Sequence, residues 1–178
     1  PRKLMLWANR NGYFYVLDRV TGEFISGQPL VDVNWSSGLD PKTGRPILTP
    51  LANYGEKPTI IQPAYVGAHN WHPMAFSPLT GLVYLSVNQN AGVLSEREDF
   101  VPQKNVTNPG AVMGGDRALQ AEAAGRAKAW LSAWDPVAQK ERWRVARAPN
   151  VSAGTLATAG NLVFQGTSDR SFAAYRAD

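Results

Sequence analysis

The sequence predicts an all-β fold organised as propeller blades, on three observations. Short apolar runs rich in Val, Leu, Tyr and Phe recur through the 178 residues. They are punctuated by 16 glycines and 13 prolines, as strands are by turns. A strand-and-turn unit then repeats at a spacing of roughly 40 to 60 residues, which suits blades of short strands better than a solenoid.

The clearest strands are Tyr13-Phe14-Tyr15-Val16-Leu17, the run from Leu82 to Val87, and Leu162-Val163-Phe164-Gln165. Shorter candidates are Met5 to Ala8, Ala129 to Trp134, Glu141 to Val145 and Phe172 to Tyr175. Only Asp116 to Ala129, rich in Ala, Glu, Gln and Arg after Gly114-Gly115, reads as helical. The repeat is carried by Asp18-Arg19-Val20-Thr21-Gly22, Ser77-Pro78-Leu79-Thr80-Gly81 and Asp135-Pro136-Val137-Ala138-Gln139, 59 and 58 residues apart (18 to 77, 77 to 135). A fourth copy begins at Ala173 to Asp178. In each, Asp or Ser is expected to cap the turn through its side-chain oxygen. Gly supplies the left-handed position at which the chain doubles back. Asp40-Pro41-Lys42-Thr43-Gly44 has the same chemistry too early for a new blade, and reads as a turn within a blade or an insertion. Residues 88–127 read as a long excursion between blades.

Composition excludes several classes of function. No cysteine is present, so disulfides, thiol catalysis and cysteine zinc sites are absent from this chain. The net charge of +4 is scattered and paired, as in Lys140-Glu141-Arg142, without the basic stripe and interleaved aromatics of a nucleic-acid groove. No apolar run approaches the roughly 20 residues that span a bilayer. Gly-x-Ser-x-Gly is absent, and Ser37 and Ser152 have no recognisable catalytic partner. Pro1 at the start, with no Met or leader, is expected of a processed or truncated chain.

Five motifs carry a family resemblance. They are Asn9 to Gly22, Gly38 to Pro46, Gly67 to Pro78, Ala133-Trp134-Asp135-Pro136 with Trp143, and Gly154 to Thr167. In this order, over nearly the whole chain, they resemble the quinoprotein alcohol and methanol dehydrogenases that use pyrroloquinoline quinone (PQQ). The resemblance implies an eight-bladed propeller of four-stranded antiparallel sheets. Residues 1–178 would be a partial propeller domain of about three later blades, since eight blades need well over twice this length. It also implies that the calcium ligands, the catalytic Asp base and a vicinal disulfide lie before Pro1. The implied compartment is the periplasm.

The same motifs single out Arg10, Asn70 and Trp71 as cofactor-binding residues. Taken alone, Arg10 is a solvated arginine beside a turn. In its motif it stands where the family places Arg or Lys against the ortho-quinone oxygens. A fixed cation there would polarise the carbonyl and stabilise the charge that develops on reduction. Asn70 and Trp71 match the family's pair near the cofactor, able to donate from an amide and an indole N–H. Otherwise they read as a turn Asn beside a core Trp. His69 and His72, the only histidines, lack a third metal ligand nearby and read as structural or supporting. Glu96, Glu98 and Asp99 read as a solvated acidic face. Asn150 to Gly154 departs from the family, which has a Trp at about Val151 or Ser152.

By this resemblance the complete protein oxidises a small alcohol to an aldehyde. Calcium and Arg10 activate the quinone, and electrons leave to a cytochrome c, with a haem c domain in some members. No catalytic residue beyond the electrostatic role of Arg10 falls in this segment. Two other readings stand beside it. One is a non-catalytic propeller scaffold. The other is an inactive fragment that forms part of the cofactor site and associates with itself through open sheet edges.

Overall fold

The computed structural model describes residues 2–149, 153–167 and 170–178. The first sheet joins β1 (Leu4–Ala8), β2 (Tyr13–Asp18) and β3 (Phe24–Pro29) in that order, each pair antiparallel. A hairpin of β4 (Ser36–Leu39) and β5 (Pro46–Leu48) follows, then a single 3-10 turn at Pro50–Ala52 and β6 (Thr59–Ile61). The second sheet starts with β7 (Ala75–Ser77) and β8 (Leu82–Gln89). The chain then leaves it through β9 (Gly92–Glu96), β10 (Ala111–Met113) and α1 (Arg117–Gly125). It returns as β11 (Lys128–Asp135) and β12 (Lys140–Arg147), giving the four-stranded order β12-β11-β8-β7. β9 pairs with both β6 and β10 in a small sheet of its own. The third blade sheet is β13 (Thr155–Ala157), β14 (Leu162–Gly166) and β15 (Phe172–Arg176).

Three sheets thus stack face to face like consecutive blades. The middle one has four strands in this chain and the flanking ones three. Strand alternation explains the stacking, because successive side chains of a strand point to opposite faces. On β8, Val83, Leu85 and Val87 face the first sheet, where they meet Ala8, Phe14 and Val16. Leu82 and Tyr84 face the third sheet and meet Val163 and Ala177. β11 divides in the same way: Trp130 and Trp134 turn to one side, Leu131 and Ala133 to the other. Both strands read as continuous apolar runs because both faces are covered. Burying each large side chain fully is worth about 1.5–3 kcal/mol.

The two contacts between sheets differ in chemistry. The first is apolar at its centre, with Phe14 stacked on Trp134 at 5.7 Å between ring centres. The second adds a buried polar row. Gln165 donates to the Ser86 hydroxyl (2.8 Å), Ser86 donates to the Ala153 carbonyl (2.6 Å), and Thr155 donates to the Tyr84 carbonyl (2.8 Å). The Tyr84 hydroxyl reaches across to the Ala177 carbonyl (2.8 Å). The paired tryptophans of the fourth motif serve opposite contacts. Trp134 packs toward the first sheet, while Trp143 lies against Tyr84 and donates to Ala177 on the third.

The repeat takes a different register from the one its spacing suggests. Asp18 and Asp135 close the β2–β3 and β11–β12 turns, whereas Ser77 closes β7–β8. β2, β11 and β15 stack as equivalent strands, so the true copies are Asp18, Asp135 and Asp178, 117 and 43 residues apart (18 to 135, 135 to 178). Beyond the blade strands, the longer interval holds β4, β5, β6, β9, β10 and α1; the excursion expected between blades lies within one, because β8 and β11 on either side of it pair in the same sheet. The aspartates cap as expected: Asp18 accepts from the amides of Val20 and Thr21, Asp135 from those of Val137 and Ala138. Ser77 does not, and its buried hydroxyl has no partner among the described residues. Thr80 instead accepts from Leu82 N–H at 3.3 Å.

The helix is shorter than its composition suggests. Asp116 caps it by accepting from Leu119 N–H (2.9 Å), but it ends at Gly125. Lys128 and Ala129 are drawn into the ladder opposite Gln89 and Asn88, which outweighs their helix propensity. The departure from the family at Asn150, Val151 and Ser152 lies outside the described residues.

Candidate cofactor site

Arg10 is carried by the turn between β1 and β2, and side chains of that turn hold it. Asn9 accepts from Asn11 N–H (3.0 Å), Asn11 accepts from Tyr13 N–H (3.1 Å), and the Asn11 amide donates to the Tyr15 hydroxyl (2.8 Å). Gly12 at φ +103° admits no side chain, because a Cβ would meet Val33 at 2.7 Å. The Arg10 backbone is therefore fixed while its side chain is exposed.

Asn70 and Trp71 come from the segment between β6 and β7, which folds back over Arg10. Gly67 (φ +81°) lies so close that a Cβ there would stand 2.6 Å from the Arg10 Cα. Ala68 N–H donates to the Arg10 carbonyl (3.1 Å), and the Arg10 guanidinium donates to the Tyr65 carbonyl. Asn70 is exposed, with its amide donating to the Val66 carbonyl at 3.2 Å. Trp71 is 79% exposed and stacks on His72, ring centres 3.9 Å apart.

The three residues belong to one loop cluster but line two neighbouring clefts. Arg10 borders a cleft of about 310 Å³ whose walls include Trp35, Leu51, Tyr54, Ile61 and Leu94. Asn70 and Trp71 border one of about 430 Å³ with His72, Asn88 and Asn90. The turn from Tyr65 to Gly67 is the wall between them. His69, next to Asn70 in the chain, is buried, its Nδ1 2.8 Å from the Ser86 carbonyl. A carbonyl only accepts, so Nδ1 carries the proton. Burial pushes the His69 imidazole below its usual pKa, and that of His72 likewise. Glu96, Glu98 and Asp99 are exposed and border neither cleft.

The donors at the two clefts suit a guest that carries carbonyl or carboxylate oxygens. The available groups are a guanidinium, amides and an indole N–H, all able to donate to carbonyl or carboxylate oxygens. No Asp or Glu lines either cleft among the described residues. The exposed Trp71 ring offers a planar surface. Arg10, Asn70 and Trp71 are the residues that would hold a quinone bearing carboxylates. The apolar cleft, Tyr65, Gly67 and Asn90 were not apparent from the sequence. Gly67 opens a recognised motif, but Asn90 stands 23 residues away (67 to 90) with nothing local to mark it.

No protein-family model matches the chain. It is 42% identical over 179 residues to the quinohemoprotein alcohol dehydrogenase ADH IIB of Pseudomonas putida, covering 100% of this chain and 25% of that protein. It is 47% identical over 184 residues to the quinohemoprotein alcohol dehydrogenase of Comamonas testosteroni, covering 99% and 25%. The 1-butanol dehydrogenase (cytochrome c) of Thauera butanivorans matches at 41% over 187 residues, covering 99% and 26%. The solved structure of the quinohemoprotein alcohol dehydrogenase ADHIIG of Pseudomonas putida superposes with a TM-score of 0.89 at 39% identity, covering 100% of this chain and 27% of that one. The chain therefore spans about a quarter of the length of these relatives, and its three stacked sheets are the matching part of a quinoprotein propeller. Over its whole length this chain is similar to one part of the quinohemoprotein alcohol dehydrogenases.

Proposed function

We propose that the chain supplies one wall of the cofactor site of a PQQ-dependent alcohol dehydrogenase that oxidises alcohols to aldehydes. The observation that carries this reading is Arg10, an exposed cation on a rigid turn, between an amide-lined cleft and an apolar one, with no carboxylate lining either cleft among the described residues. The quinone, when bound, supplies the two-electron acceptor for the alcohol's hydride. Arg10 keeps one N–H on the Tyr65 carbonyl and presents its remaining donors to quinone oxygens, a fixed charge that needs no reorganisation as the acceptor gains electrons. Asn70 and Trp71 donate to the cofactor's oxygens and hold its plane. Trp35, Leu51, Tyr54 and Leu94 exclude water and take the hydrocarbon part of the alcohol. Calcium and the base that removes the hydroxyl proton come from outside this segment. Electrons pass to a cytochrome c, through haem c where the protein carries it. The compartment is the periplasm.

The test is Arg10→Ala in the complete protein, with dye reduction by a primary alcohol and binding of added quinone both measured. Turnover falls about a hundredfold, the scale of losing one preorganised donor, while expression is unchanged. Arg10→Lys retains most of the activity. Unchanged turnover in Arg10→Ala removes Arg10 from the mechanism. A complete protein that binds no quinone is the scaffold of the rival reading.

A further inference from the structure

We infer that Asn90 is a positioning residue for Arg10, acting through the Tyr65–Gly67 turn. This rests on the cofactor role proposed for Arg10. Asn90 stands just beyond the end of β8 and is 7% exposed. Its Oδ1 accepts from Ala64 N–H at 2.7 Å, and its Nδ2 donates to the Gly67 carbonyl at 3.1 Å. The two ends of the turn are thus joined by one side chain, alongside the turn's own bond from Gly67 N–H to the Ala64 carbonyl (2.8 Å). Among side chains that reach, only an amide offers a donor and an acceptor side by side, and the backbone partners fix which atom faces which.

Between those ends lies Tyr65, whose carbonyl receives the Arg10 guanidinium. Tyr65 is itself 62% exposed, and its side chain does little to hold the carbonyl in place. Its position is set from Ala64 and Gly67, and therefore from Asn90. Ala68 is tied separately, donating to the Arg10 carbonyl and accepting from Asn88 N–H at 2.8 Å. Ala64 N–H also reaches the Asn90 main-chain carbonyl (3.2 Å), so removing the Asn90 amide releases the Gly67 end of the turn and weakens the hold at Ala64 without detaching the segment. The cation then loses the carbonyl that aims it, and a displacement of about 1 Å can cost up to about a hundredfold in rate.

The experiment is a double-mutant cycle in the complete protein with Asn90→Ala and Arg10→Ala. Asn90→Ala lowers kcat about tenfold or more while KM for the alcohol stays within about twofold. In the Arg10→Ala background the same change costs less than about twofold. In quinone-free protein, the Ala64 and Gly67 amides exchange about tenfold faster with deuterium in Asn90→Ala, and those of β8 and β11 are unaltered. Should Asn90→Ala not accumulate as folded protein, Asn90→Asp takes its place. It keeps the bond from Ala64 and loses the one to Gly67, and the same pattern is expected. Equal losses in both backgrounds, or no change in exchange at 64 and 67, overturn the positioning role. Full turnover in Arg10→Ala alone overturns instead the cofactor reading on which it rests.

Discussion

At the scale of single residues, His69 links the fold to pH. It immediately precedes Asn70 and Trp71, it is buried, and its Nδ1–H is committed to the Ser86 carbonyl. Burial lowers its pKa from the ordinary value of 6.5, so the folded chain keeps a neutral imidazole where the unfolded chain takes up a proton. Below pH 6.5 the unfolded state binds more protons, and stability falls with pH until the folded form also titrates. Urea midpoints at pH 7.5 and 5.5 check this. His69→Gln, which can still donate to Ser86, has the flatter dependence, and equal slopes for the two proteins sink the idea. Asp18 contributes in the same sense at much lower pH. The Arg2 hydrogen bond, then the amides of Thr21 and Val20, hold its carboxyl well below the usual range. Its share is present above the unfolded value and lost as pH falls toward the folded one.

At the scale of elements, turns are where local sequence and structure agree best. Asp135 accepts two amide bonds and launches β12, whose Trp143 and Val145 pack in the second contact between sheets. Asp135→Ala lowers unfolding free energy by about 1–2 kcal/mol, readable by chemical denaturation in the complete protein, through loss of the cap. A neutral result places the determinant of the turn in the flanking strands. Gln139 shows how a turn survives altered chemistry. At φ +53° it fills the left-handed position that Gly22 and Gly81 hold at +77° and +70°. Its amide donates to Ser26 on β3 (3.2 Å) and to the Pro136 carbonyl (3.0 Å), contacts a glycine cannot make.

At the scale of the whole molecule, the stack is sealed in the middle and open at its ends. On the first sheet Met5 and Trp7 are 40% and 46% exposed. On the third, Leu156 and Phe172 are 61% and 74% exposed. Single exposed apolar residues are ordinary, but these sit on the broad faces against which a further sheet would stack. Expressed as these 178 residues, the chain self-associates, and sedimentation velocity shows species larger than a monomer that grow with concentration. A single compact monomer at all concentrations sinks this expectation.

The sequence by itself determined the all-β class, the strands β1, β2, β8, β11, β12, β14 and β15, the aspartate turns and the start of α1. Each rests on local chemistry: an apolar run long enough to cover two faces, a carboxylate within reach of the next amides, or a cap before an Ala-rich run. It also placed Arg10, Asn70 and Trp71 in motifs that fold into one loop cluster. Only the tertiary structure decided the rest. β7 and β13, three residues each, are strands because β8 and β14 offer them a ladder. The end of α1 and the register of the repeat were settled by pairing across long intervals. The hold of Asn90 on the Arg10 turn depends on backbone atoms more than twenty residues away in sequence, which no spacing or composition records.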